Sequence, residues 1–244
     1  MKKSINMLRN VFPVLTGLFL MLFLFAACNK DHIDYNQPVV PASGLMAFNL
    51  SPDQPAVAVD VSSARLSNTA LGYTNYTGSY LPVYTGSHEV RFFDFNSGST
   101  LAFNNTQFAD SGYYSTFLMG ANGNYRNVIV EDKLIPLTAA SGKAWVRYVN
   151  AIPDTNAVSV INIGTAGDNT ISDSTRYASV SNFVQVNAGQ VSTSVNDGSD
   201  IAANRTITLD ENKVYTLLFV GLPSATDTSK AVQIRFIQNG TITP

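Results

Sequence analysis

The sequence predicts an all-β chain: two tandem immunoglobulin-like antiparallel β-sandwich domains that follow a signal peptide and a flexible tether. Three observations lead there. Short runs rich in Val, Thr, Tyr and Phe are separated by turn residues, and after the first 27 residues no segment carries a helical period. The phrase "NLSPDQPAVAV", Asn49 to Val59, returns as "NAIPDTNAVSV", Asn150 to Val160. Self-similarity at a fixed offset marks a repeated structural unit.

The first element is "MKKSINMLRNVFPVLTGLFLMLFLFAAC". Lys2, Lys3 and Arg9 form a basic stretch, and an uncharged run from Val11 to Ala27 follows it. That run is short for a membrane span and ends in small residues directly before Cys28, the chain's one cysteine. Residues 1–27 are therefore read as a cleaved signal peptide. The segment "LFAAC" resembles a bacterial lipobox, in which the cysteine is acylated and becomes the new N-terminus, although Phe25 departs from the commoner small or aliphatic residue there. A single cysteine also rules out an internal disulfide or a site built on several thiolates. Removing residues 1–27 takes away three positive charges and no negative ones, so a net charge of −2 becomes −5.

Residues 28–44, with "NKDHIDYNQPVVPASG" after the cysteine, are polar and Pro-containing without apolar periodicity, as a tether should be. "NKD" resembles the surface-export signals of Bacteroidetes lipoproteins. The repeat follows as residues 45–134 and 144–244, joined by a linker at 135–143. Pro52 and Pro153 lie 101 residues apart, Gly86 and Gly189 lie 103 apart, and Tyr114 and Tyr215 lie 101 apart.

In the first copy the expected strands are "LMAFNL", "AVAVDV", "LGYTNY", "YLPVY", "HEVRFFDF", "TLAFN", "YYSTFLM" and "NVIVED". In the second they are "AWVRYVN", "AVSVIN", "TRYASV", "FVQVN", "QVSTSV", "RTITL", "KVYTLLFV" and "AVQIRFI". An eight-stranded barrel is the alternative way to close such a set. In both phrases Pro52–Asp53 and Pro153–Asp154 read as structural turns. Proline presets a turn and cannot donate into a sheet, and an Asp side chain can bond its own backbone two residues on.

"WVRYVNAIPDTNAVSV" followed by "KVYTLLFVG" resembles the domain of unknown function 4397 family. Arg147, Asn150, Ala151, Pro153, Asp154, Ala157, Val158, Val160, Tyr215, Thr216 and Gly221 match its pattern in the second copy. Asn49, Pro52, Asp53, Ala56, Val57, Val59, Tyr114 and Gly120 match it in the first. The resemblance implies an extracytoplasmic β-sandwich module, often tandem and often in envelope proteins, and it carries over no catalytic residues.

Charged residues make up only 13% of the chain, which gives no basic face for nucleic acid. No cofactor or metal is expected. "NDGSD", Asn196 to Asp200, lacks calcium-loop spacing and reads as a hairpin turn. His88 is the one histidine outside the leader and tether, and no G-x-S-x-G or H-E-x-x-H accompanies it, so no catalytic residue is assigned.

The candidate binding surface is Tyr73, Tyr76, Tyr80 and Tyr84, four amphipathic rings within one turn-rich segment, suited to a glycan or to an envelope or surface protein. Trp145 reads as core or as packing between the copies. "DST", Asp173 to Thr175, resembles a Bacteroidetes O-glycosylation acceptor at Ser174, in an expected loop. The functional expectation is an outer-membrane-anchored envelope lipoprotein, periplasmic or surface-exposed, acting as a non-catalytic structural or adhesive module. A carbohydrate-binding accessory role through the tyrosines is the alternative, and a hydrolase is the third.

Cys28→Ser is expected to leave the chain unprocessed or release it from the membrane. Detergent phase partitioning and intact mass read the outcome, and a Cys28→Ser chain at the mature mass wholly in the detergent phase would contradict lipidation.

Overall fold

The computed structural model describes residues 40–153, 158–165, 168–223 and 225–243. Cys28 and Asp154 lie outside the described residues. The first copy contains β1 (Ala42–Asn49), β2 (Val57–Val61), β3 (Ala64–Arg65), β4 (Leu81–Tyr84), β5 (Gly86–Asp94), β6 (Thr100–Phe108), β7 (Tyr113–Ala121) and β8 (Asn124–Glu131). The second contains β9 (Lys143–Asn150), β10 (Ser159–Thr165), β11 (Asp168–Thr175), β12 (Ser179–Val180), β13 (Val184–Asn187), β14 (Gly189–Asn196), β15 (Ala202–Leu209), β16 (Lys213–Val220) and β17 (Gln233–Thr241).

Each copy is a sandwich of two sheets. The first copy pairs the order β4-β1-β7-β8 with β3-β2-β5-β6. The second pairs β12-β9-β16-β17, with β13 also on β9, with β11-β10-β14-β15. Among the described strands no sheet mixes the two copies, and neither sheet pair closes into a barrel.

Three expectations need correction. β1 begins at Ala42, inside the segment read as tether. "LGYTNY" forms only isolated bridges, Val57 with Leu71 and Phe48 with Tyr76, because it crosses from one sheet to the other. Ser174 sits not in a loop but on β11, an edge strand, paired opposite Val160.

Pairing between these strands is antiparallel except where the first strand of each copy lies parallel to its next-to-last strand: β1 on β7 and β9 on β16. The registers fix residue equivalence. Leu45 faces Tyr114 as Val146 faces Tyr215, so Met46, Phe48, Ser115 and Phe117 correspond to Arg147, Val149, Thr216 and Leu218.

These four strands are buried on both faces. One face of each sheet fills its own sandwich: Leu45, Phe92, Tyr114 and Leu118 in the first copy, and Val146, Ile161, Leu217 and Phe219 in the second. The opposite faces meet each other in a third core, where Met46, Phe48, Phe117 and Met119 pack with Val149, Leu218, Val220 and Ile237. The copies thus join through equivalent faces, as the partners of a symmetric dimer do. Strands covered on both sides read as continuous apolar runs without alternation, which is why "TFLM" and "TLLFV" lack a period of two.

Both runs end in glycine because the strand must turn against its neighbour. Gly120 and Gly221 have φ of 106° and 114°. A Cβ at either would collide with a backbone carbonyl, that of Asn124 or of Ala231.

Phe117→Ala should open a cavity in the core between the copies and lower stability by about 3–5 kcal/mol. The chain's one tryptophan, Trp145, lies in the other copy. Its fluorescence transition in urea should move with the mutation, whereas an unmoved transition would mean that the copies unfold independently.

Candidate functional site

The seam between the copies carries a buried polar cluster. Arg147, at the position of Met46, has a side chain only 2% exposed beside Asp132 at 0%. Its Nη1 donates to Asp132 Oδ1, its Nη2 to Ser115 Oγ at 2.9 Å and its Nε to Thr216 Oγ1 at 2.9 Å. Ser115 and the Tyr80 hydroxyl both donate to Asp132 Oδ2, each at 2.5 Å. Thr216 in turn donates to Asn239 Oδ1 at 2.6 Å, the counterpart of the Ser115–Asp132 bond. Burial, and then the neighbouring Asp132 charge, push the Tyr80 hydroxyl far above the ordinary tyrosine range, so it stays a donor.

The structure places the four candidate tyrosines unequally. Tyr73, Tyr76 and Tyr80 pack against the core between the copies, and Tyr84 is 68% exposed. Tyr76 stacks on Phe48 at 5.4 Å, and Tyr80 meets Tyr113 edge-on at 5.0 Å. Burial raises the Tyr73 pKa, and its hydroxyl has no hydrogen-bond partner among the described residues.

Nor is the segment peculiar to one copy. Thr74 and Ala178 both have positive φ, and their amides bond the carbonyls of Asn49 and Asn150. That alignment makes Tyr177 the counterpart of Tyr73. By strand register, Val180, Phe183 and Asn187 correspond to Tyr76, Tyr80 and Tyr84. Three of the rings are therefore placed as seam-builders, and they do not form one exposed platform.

The turn residues also act differently from the Asx reading. Pro52 and Asp53 occupy a turn closed by Gln54 N on Ser51 O at 3.1 Å. The Asp53 carboxylate, however, reaches across to accept from Asn122 N at 2.7 Å and the Tyr125 hydroxyl at 2.8 Å. The local backbone caps come from the first residue of the phrase. Asn49 Oδ1 accepts from Ser51 N and Asn150 Oδ1 from Ile152 N, at 3.1 and 3.3 Å. Asn49 Nδ2 also ties Gln54 O and Leu71 O, which explains a fully buried asparagine. Pro153 is half-buried next to the undescribed residues.

His88 lies beside a cleft of about 400 Å³ with Arg65 and Tyr84. Its Nδ1 is 2.9 Å from Ser62 Oγ and its Nε2 is 3.3 Å from Thr85 O. The ring is thus oriented by a hydroxyl and a backbone carbonyl, and the Phe108 ring lies 6.0 Å away.

A second cleft, of about 410 Å³, opens at the seam next to the buried cluster. Val130, Glu131 and Lys133 come from the end of the first copy, Pro136 and Leu137 from the connecting segment, and Trp145, Val180 and Phe183 from the second copy. Phe183 lies 4.7 Å from the Arg147 guanidinium carbon. Trp145 Nε1 donates to Thr138 O at 2.9 Å, which holds the connecting segment against β9. Sequence reasoning singled out neither Phe183 nor the rim charges. The available signal was a lone tryptophan directly after the linker.

Arg147→Met restores the residue found at the equivalent position 46 but leaves Asp132 buried without its cation, and should cost about 3–5 kcal/mol. Adding Asp132→Asn, the residue found at 239, should recover most of that loss in urea unfolding. A double variant as unstable as the single would show that the loss does not come from leaving the Asp132 charge buried without its cation.

Among solved structures, a candidate cell adhesion protein of Bacteroides eggerthii aligns over 82% of this chain and 96% of its own, at 11% identity and a TM-score of 0.23. A TM-score that low lends nothing to the assignment of fold or function. No curated protein matches the chain. The family model described as Domain of unknown function (DUF4397) matches residues 43–161 and again 144–241. With both sandwiches covered, the chain belongs to this family and carries its domain twice.

Proposed function

We propose that the chain is a lipid-anchored, non-catalytic binding module of the cell envelope that presents the seam cleft to an extracytoplasmic ligand. The observation that carries the reading is the cleft itself. It is an open hollow of about 410 Å³, walled by Trp145 and Phe183 and rimmed by Lys133 and Glu131, on a body held together by its own core. Sites of this kind, apolar walls with a few convergent polar groups between packed units, are where small ligands and chain segments bind. The leader and Cys28 supply the anchoring part of the proposal, and the outer membrane is the membrane it names.

The test displays the anchored chain on cells. Adhesion to immobilised envelope polysaccharide or surface protein should saturate and be competed by free mature chain, and Trp145→Ala should reduce it at least tenfold. Hydrolysis of a general ester or glycoside substrate that disappears with His88→Ala would instead make the chain an enzyme acting through the Ser62–His88 pair.

A further inference from the structure

We propose that the seam cleft is a subsite for a neutral pyranose ring of a glycan, a reading that rests on the cleft being the binding surface. The cleft is not a by-product of joining two like faces. Its counterpart across the seam is filled: Gly44 stands where the second copy has Trp145, and Tyr80 and Tyr113 close over it. A Cβ on Gly44 would come within 2.9 Å of Tyr80 Cβ and 3.1 Å of Tyr113 Cδ1. The second copy has Phe183 and Val214 in place of those tyrosines, so the space stays open on the Trp145 side.

The lining chemistry then selects the ligand. Trp145's indole N–H is already bonded to Thr138 O, so the residue offers the cleft apolar ring surface, and Phe183 offers the same. An anion finds no unopposed charge. Arg147 is neutralised by Asp132, and Lys133 shares the rim with Glu131, neither of which forms an ion pair among the described residues. A purely apolar ligand would strip water from Lys133, Glu131 and Asn182 without replacing its hydrogen bonds. A pyranose meets both demands, because its C–H face lies on an aromatic ring while its equatorial hydroxyls reach donors and acceptors at the edge.

The chain's single tryptophan makes the test direct, since intrinsic fluorescence reports this cleft. The mature chain is titrated with cellohexaose, maltohexaose, mannohexaose and hexagalacturonate. The expected result is a saturable shift with at least one neutral hexasaccharide and none with the uronate. Phe183→Ala should weaken the response at least tenfold, and so should the pair Lys133→Ala and Asn182→Ala, which are exposed positions that leave the seam intact. Tyr84→Ala, outside the cleft, should change nothing. Silence toward all neutral hexasaccharides, a response to hexagalacturonate alone, or binding unaffected by the Lys133/Asn182 pair would overturn the assignment. If displayed cells still adhere to a protein surface while the fluorescence stays silent, the sugar assignment falls alone and the binding-module reading survives.

Discussion

Two-sided burial of the paired strands β1–β7 and β9–β16 is the constraint on which the rest of the structure depends. A sandwich sheet ordinarily shows one face to solvent, and here that face is apolar in both copies, with Met46, Phe48, Phe117 and Met119 on one and Val149, Leu218 and Val220 on the other. Either face left in water would expose an apolar patch of the kind that drives association. Duplication within one chain satisfies both at once by turning each copy's face onto its own equivalent. The seam therefore belongs to the folding of the chain, and the connecting segment, held through Trp145 and Thr138, is part of it.

Within that seam, exact symmetry would be unhelpful. Like residues facing each other across equivalent positions compete for the same space, and the chain resolves the competition by diverging in pairs. Met46 faces the role of Arg147, Ser115 that of Thr216, and Tyr80 that of Phe183. Arg147 uses three of its donors on groups from both copies, so the ion pair with Asp132 fixes one register between the faces. A buried pair contributes little net stability relative to apolar replacements, and registration is its best-attested use. The same divergence leaves one side of the seam filled by tyrosines and the other side open.

Much of the fold was legible because turn chemistry and the repeat are local signals. The echo of Asn49–Val59 in Asn150–Val160 located both copies, and the runs "TFLM" and "TLLFV" located their central strands. The tyrosine cluster misled for a physical reason. An amphipathic ring suits an exposed platform and a half-buried seam equally well, and only the register that equates Tyr73 with Tyr177 separates the two. Asp132 gave no signal, since an acid at a strand end is usually solvated. The Asn of the repeated phrase was hidden behind the better-known turn habits of Pro and Asp, although its amide ties down the loops around it.

The parallel placement of β1 has a mechanical consequence. The strand enters at Ala42 and is held laterally on both sides, by β4 and by β7. A pull applied at its N-terminus and directed along the strand loads those hydrogen bonds across their length together, as a shear joint, instead of opening them one at a time as a zipper does. Because Met46 and Phe48 on the same strand belong to the core shared with the second copy, such a load passes into both sandwiches. A load entering the chain at Ala42 would therefore be resisted by the two sandwiches as one body.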